Sequence, residues 1–528
     1  MKQKIINIII TLLYAMIIYY LFLPALNFQS IGFWLFVISI FTLWTILKVI
    51  SNLTLKKKLK YNQDLIIGYI GSITLILGII LITNIIMSPI FQSKSYSKRI
   101  TIDESGEFTK DVKPVDFNTL PLLDKDSSRK VGDRVMGQMS ELVSQFYVSD
   151  IYTQINLNDE IVRVTPLEYN GFFKYLSNRK NGITGYIKVN SVTGKAELVK
   201  LEKGMKYMPS AILGEDLNRK LQFSYPTKIL GQKSFEIDND GNPYWVVPTL
   251  KYSGVEIKEE VEGLIILNAV TGKSQYYDVK NIPTWVDHVY SASLIIEQTD
   301  DWGKYKNGFL NAIFGQKNVT MTTDGYNYIA MNDDIYLYTG ITSVANDESN
   351  LGFILTNMRT KETKFYAVPG AEEYSAMSSA EGQVQQMKYK ATFPLLINLN
   401  NKPTYVISLK DNAELVKMYA FVDVEDYQKV VVTEASKGIE EAAKNYLQNG
   451  KIQYNDKELK TKEITIEKIE SVVIDGNTIY YIKDTENKKY KASIKISQET
   501  LPFLISGDKM KISYAVESEI TEIQKLNN

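Results

Sequence analysis

No cysteine occurs among the 528 residues. Disulfides, thiolate metal sites and a cysteine nucleophile are therefore excluded. Histidine is nearly absent as well. The single one, His288, leaves little material for imidazole-based metal or acid–base sites. Neither sign of charge is in excess, with 60 Lys+Arg against 60 Asp+Glu. Such a balance gives no overall signature for nucleic acid or for an anionic surface, so no nucleic-acid partner is expected. What is plentiful is tyrosine, 35 residues, which favours strands and points to a β-rich body. The length exceeds what one hydrophobic core supports, so several domains are expected.

Long apolar runs are confined to the first ninety residues. Ile5–Leu23, Ile31–Leu47 and Leu65–Met87 carry no charge. Each has about the 17–23 residues that cross a hydrocarbon core. The first lacks a small-residue cleavage site and two more runs follow it, so it reads as an anchor rather than a signal peptide. Lys2 and Lys4 precede the first run. Lys56, Lys57, Lys58 and Lys60 separate the second from the third, whereas the intervening "PALNFQS" is uncharged. The positive-inside rule puts the N-terminus in the cytoplasm and everything after the third run outside. Lys94, Lys98 and Arg99 oppose this weakly. Gly68 and Ser72 form a small-xxx-small pair, with Gly71 and Gly78 nearby. It allows close helix approach, within the chain or between chains of a homo-oligomer.

The remainder repeats a phrase. "GYIKVNSVTGK" begins at Gly185, "GLIILNAVTGK" at Gly263 and "GFILTNMRTKE" at Gly352. A degenerate fourth copy, "YAFVDVEDYQK", begins at Tyr419. Starts roughly 70–90 residues apart suit small α+β modules rather than short solenoid units. Turn-rich clusters between apolar runs precede the later copies, in "FEIDNDGNPYWVVP", "TTDGYNYIAM" and "LINLNNKPTYVISL". These are hairpin signals. Helical stretches lie upstream from Ser127, Ser210, Trp302 and Ala371. Each module therefore reads as one helix and about three antiparallel strands, the last closed by the Thr-Gly turn.

A helix and a meander running into an Asn-x-x-Thr-Gly-Lys turn resembles the PepSY module of bacterial envelope proteins. The matching positions are Asn190, Thr193, Gly194 and Lys195, then Asn268, Thr271, Gly272 and Lys273. The third copy departs at Lys361. The resemblance implies protein interaction or regulation at the cell surface, sometimes of peptidases, and no catalytic residues.

After the repeats, "TEASKGIEEAAKNYLQNGK" reads as a helix capped by Thr433 and stopped by Gly450. From Ile464 onward, short alternating strands look like a small OB-type barrel. No basic groove with stacking aromatics is evident there. The expected division is a membrane anchor over 1–92, α+β modules over 93–204, 205–284, 285–369 and 370–432, a connecting helix over 433–451 and a barrel over 452–528.

Sharper chemical readings are weighed by their missing partners. His288 beside Asp287 lacks a nucleophile. "DNDGN" at Asp238–Asn242 resembles the start of a calcium loop, but Thr249 stands where the closing glutamate belongs. Ser375 in "SAMSSAEG" has no nucleophile turn around it. Ser-x-x-Lys occurs at Ser95 and Ser127 without companion motifs. The Thr-Gly-Lys turns follow strands, unlike phosphate loops. No catalytic, cofactor-binding or metal-binding residue is assigned and no cofactor is expected. The reading is a non-enzymatic, membrane-anchored scaffold or regulator of α+β class. Its partners are the lipid bilayer and other envelope or membrane proteins. The alternatives are an envelope hydrolase or its inhibitor, and an accessory subunit of a transport assembly.

Overall fold

The computed structural model describes residues 2–55, 59–344, 346–449, 460–474, 477–514 and 520–525. Lys56–Lys58 of the basic loop, Gly450 and the Asp475–Gly476 turn lie outside the described residues.

Three helices are long and apolar enough to cross a membrane: Gln3–Phe22, Ile31–Thr54 and Lys60–Met87. Several polar side chains inside this set are paired, although Asn62 Nδ2 is buried without a partner among the described residues. Asn52 Nδ2 donates to Asn62 Oδ1 at 2.9 Å, Asn7 Nδ2 to the Leu47 carbonyl at 3.3 Å, and Thr42 meets the Tyr69 hydroxyl at 2.6 Å. Gly68, Gly71 and Gly78 face open space, with no atom near their Cα hydrogens. The small-residue face is thus not used between helices of one chain.

Four sheets follow, antiparallel except where Ile102–Gly106 runs parallel to Thr363–Tyr366 at the edge of the third, and they share one order of elements. In the first, helix Lys125–Gly137 precedes a split strand, Phe146–Val148 and Thr153–Leu157. Both halves pair with the long strand Glu160–Tyr169, which is followed by Ile183–Asn190 and Ala196–Met205. In the second, helix Leu217–Ser224 precedes the split strand Ile229–Leu230 and Ser234–Ile237. Strands Pro243–Lys251, Glu260–Asn268 and Ser274–Asp278 complete it. The third has helix Ala292–Tyr305, the pieces Thr320–Thr322 and Asn327–Met331, then Asp334–Ser343, Asn346–Asn357 and Thr363–Tyr366. The fourth has helix Glu373–Gln383, the pieces Lys390–Ala391 and Leu395–Leu399, then Lys402–Lys410, Val416–Asp423 and Val430–Glu434.

The repeated phrase is therefore not the end of a module. Its strand is the second-to-last, and the Thr-Gly turn reverses the chain into one more strand. The turn chemistry explains why. Asn190 Oδ1 accepts from Val192 N (3.0 Å) and Thr193 N (2.8 Å), and Asn268 and Asn357 do the same one and two modules later. The next residue but three closes the hairpin in the left-handed region: Gly194 at φ +70°, Gly272 at +69° and Lys361 at +65°. Asp423 performs the asparagine's part in the fourth copy, accepting from Glu425 N and Asp426 N.

Neighbouring sheets share cores. Phe235, Trp245 and Ile265 of the second sheet join Val162, Tyr186 and Ile187 of the first. Val246, Leu264 and Ile266 pack with Ile335 and Leu337 of the third. Tyr338, Phe353 and Leu355 of the third pack with Tyr405, Ile407 and Ala420 of the fourth. Alternation in one strand feeds both neighbours, so odd and even residues of each long strand are buried on opposite faces.

The helix expected from Thr433 begins at Ile439 instead. Val430–Thr433 is a β-branched run that pairs with Val416–Asp423, Thr433 opposite Tyr419, and Gly438 at φ +84° turns the chain before the helix. The C-terminal sheet has its own core of Ile464, Ile466, Ile482, Tyr490, Met510 and Ile512. Its strand order is Lys489–Ser493, Asn477–Asp484, Lys460–Ile474, Lys509–Tyr514, Ile520–Lys525.

The membrane helices are hydrogen-bonded to the loops that flank the strands of the second sheet. The turn between the first two helices donates Leu26 N to the Pro226 carbonyl (2.7 Å), and its Gln29 Oε1 accepts from Tyr252 N (3.0 Å). At the end of the third helix, Asn84 Nδ2 donates to the Val255 carbonyl (3.1 Å) and its Oδ1 accepts from Val255 N (2.8 Å). A second fastening lies just beyond. The fully buried Arg99 side chain binds Glu297 (2.6 Å), Glu260 (3.4 Å) and Asp301.

Candidate functional site

The sheets surround a cleft of about 1310 Å³. Tyr152, Gln154 and Arg163 come from the first sheet, and Lys233 from the second. His288 and Tyr290 come from the segment joining second and third. Tyr326 and Tyr328 come from the third sheet, and Thr392, Phe393 and Lys410 from the fourth.

The first-sheet floor is set by register. Gln154 stands opposite Arg163 in the antiparallel ladder, so both side chains leave the same face. Tyr152, two residues before Gln154, shares that side. Arg163 is 6% exposed and Gln154 2%. Arg163 Nε, Gln154 Nε2 and the Tyr152 hydroxyl are buried without a hydrogen-bond partner among the described residues. Burial pushes the Arg163 guanidinium down to about 10, with Asp124 the largest compensating charge, so it remains a cation at neutral pH. Burial also raises the Tyr328 phenol, leaving it a neutral hydrogen-bonding group.

Lys125, Lys233, Lys390 and Lys410 also line the cleft, and Lys410 is engaged. Lys410 Nζ binds Asp124 at 2.7 Å and Glu414 at 2.8 Å. Burial lowers the Lys233 ammonium, opposed by Asp216 and Glu168.

His288 lies at the back of the cleft. Its Nε2 is 2.7 Å from the Gln154 carbonyl oxygen and its ring meets Tyr328 edge-on at 5.7 Å. Burial drives its pKa down to about 4, so the imidazole is neutral. Asp287 faces elsewhere, its Oδ2 accepting from Asn156 N at 2.8 Å. Behind them Glu236 accepts from Asp287 N (2.9 Å) and the Ser234 hydroxyl (2.7 Å). Burial raises it to about 7.

The other singled-out residues stand apart from the cleft floor. Asp238 Oδ1 accepts from Asp240 N and Asn242 N, which makes "DNDGN" a self-capped hairpin turn. Ala376 and Ala380 are fully buried against the fourth sheet, and Ser375, Ser378 and Ser379 line a shallow surface recess with Tyr374 and Tyr427. Ser127 N is capped by Asp124 at 2.9 Å. Ser95 has a partner that sequence reasoning missed: its hydroxyl accepts from Lys258 Nζ, and burial lowers that ammonium.

Arg163 and Gln154 were also missed. They alternate with apolar neighbours, the signature of a solvent-facing strand side. The readable signal was Arg163 inside the otherwise charge-free run Ile161–Leu167.

No family model matches the chain, and no curated protein matches it. Among solved structures, a mutant of the Synechocystis apocarotenoid oxygenase aligns at 8% identity over 72% of this chain, with a TM-score of 0.13. The alignment spans 63% of that oxygenase. A likeness this slight carries no argument about fold or activity.

Proposed function

We propose that the protein is a membrane-anchored scaffold or regulator of the bacterial cell envelope. On this reading the four sheets are PepSY-like modules, the C-terminal sheet is an OB-like barrel, and both lie outside the cytoplasm. The observation that carries it is the fastening of the second sheet's connecting loop to the turn between the first two helices and to the end of the third, through Gln29 and Asn84. A body needing only a tether would hang from a linker. This one is held in a fixed pose over the membrane, as presenting surfaces to neighbouring membrane proteins requires. The basic residues Lys2 and Lys4 lie at the end of the first helix remote from the body, roughly 30 Å along it, which supports an outward-facing body. The open glycine face of the third helix is available to a second copy or another membrane subunit.

Whole-cell labelling tests the orientation. A cysteine introduced at Ser506 should react with an impermeant maleimide in intact cells, and one introduced at Lys4 should react only after lysis. In-cell crosslinking followed by mass spectrometry should then recover membrane or envelope proteins at fixed positions on the body. Reversed labelling, or recovery of this chain with no partner and no second copy, refutes the reading.

The contact between Ser95 and Lys258 favours a second reading, an envelope hydrolase using a serine activated by a desolvated lysine. A serine-directed probe should then label Ser95 and fail on Ser95→Ala. Absence of labelling leaves the scaffold reading in place.

A further inference from the structure

We propose that the central cleft binds a short peptide by its C-terminal carboxylate, with Arg163 as the anchoring cation. Such a site goes beyond the scaffold reading, and an imbalance of charge marks it. A guanidinium is a strong, always-charged donor set, and burying it without an anion is costly. Elsewhere in this chain buried cations are paired: Arg99 holds three carboxylates and Lys410 two. Arg163, equally withdrawn from solvent, has no ion pair and no side-chain hydrogen bond among the described residues. Its neighbour across the ladder, Gln154, presents a second unsatisfied N–H donor, whereas the Tyr152 hydroxyl, also unsatisfied, lies against Gly132 of the first helix. Two donors without acceptors, on one face and lining one cleft, are the complement of a carboxylate or phosphate oxygen pair.

The surroundings select between these anions. Among the described residues Arg163 is the one buried cation without a carboxylate partner, which matches a single negative charge. The rest of the wall carries Asp126, Asp150 and Asp300 alongside Lys125, Lys233 and Lys390. Asp150 is bridged to Arg129 and Asp300 to Lys304, which leaves Asp126 to repel a phosphate dianion and attract an ammonium. Tyr326, Tyr328 and Phe393 supply apolar area between the two ends. The volume exceeds what one amino acid fills and lies above the usual range for small-molecule sites. A zwitterion a few residues long, extended from Arg163 toward Asp126, satisfies all of these features. His288 and Gln154 form the supporting layer, the ring nitrogen of one fixed to the carbonyl of the other.

The test uses the full chain in detergent and reads thermal stability. Three probes are compared: an equimolar tripeptide library with free C-termini, the same library amidated, and inorganic phosphate. The free-acid library should raise the melting temperature saturably, and the amidated library and phosphate should not. Arg163→Gln should weaken the response at least tenfold, and Gln154→Leu should weaken it several-fold. The second variant also serves if the first fails to fold. Equal response to acid and amide, a response to phosphate instead, no response to any probe, or an unchanged response in both variants overturns the proposal.

Discussion

At the scale of single residues, the repeated turn shows how one backbone conformation is met in different ways. Gly194 and Gly272 have the same left-handed φ, yet their surroundings differ. A methyl group on Gly194 would lie 3.8 Å from the nearest side-chain atom, and one on Gly272 would lie 2.2 Å from the Tyr207 ring. Gly194→Ala should therefore cost about 1 kcal/mol from backbone strain alone. Gly272→Ala should cost about 2–4 kcal/mol, because overlap with the ring is added. Denaturant melts of the two variants decide it, and equal losses would contradict the packing described here. Lys361 accepts the same strain and uses its side chain, donating to the Arg99 carbonyl at 2.8 Å and to Gln298 at 3.1 Å. The departure from glycine thus ties the third turn to the segment leaving the membrane.

The buried pair behind the cleft makes stability depend on pH in two opposed ways. Glu236 binds its proton more tightly folded than unfolded, so its contribution is complete below about pH 4.5 and lost as pH rises through about 7. His288 binds its proton less tightly folded, so its contribution is complete above about pH 6.5 and lost as pH falls through about 4. Each amounts to about 3 kcal/mol at most. Against the parent, Glu236→Gln should gain stability between pH 4.5 and 7.5. His288→Gln should gain it between pH 6.5 and 4. Urea melts across that range check both signs.

At the scale of elements, much was legible because local chemistry dictated it. The three apolar runs became three long helices. The Asn-x-x-Thr-Gly-Lys segments became hairpins because the asparagine side chain caps its own turn, whatever surrounds it. The strand after each turn was harder to read. Ala196–Met205 mixes charges with apolar residues and Ser274–Asp278 an acid with tyrosines, and both are largely half-exposed, as edge strands are. Helix Ala292–Tyr305 begins ten residues before the Trp302 start read from sequence. Its cap, Ser291 Oγ accepting from Leu294 N at 3.2 Å, was the available signal.

Helix Glu373–Gln383 carries an element-scale prediction. Ala376 and Ala380 have no exposed surface, so this helix approaches its sheet as closely as a methyl group permits. Ala376→Leu should cost about 1–3 kcal/mol by overpacking, and Ser378→Leu on the outer side should be close to neutral. Comparable losses at both positions would place the helix differently.

At the scale of the whole molecule, the shared cores make the four sheets one chain of packed layers, and the cleft exists only because all of them contribute walls. No single segment of sequence encodes it: the lone charge of Arg163 in its apolar run was legible, but the cleft it lines was not. The central claim is that this body is docked on the membrane helices rather than tethered to them. The absence of native cysteine makes that claim directly measurable. Asn84→Cys and Val255→Cys, combined in one chain and treated in native membranes with a short bifunctional maleimide, should give near-complete intramolecular crosslinking. A control pair of Asn84→Cys with Ser506→Cys should give little. Equal, slow crosslinking of both pairs would mean that the body moves freely above the membrane, and would contradict the docked arrangement.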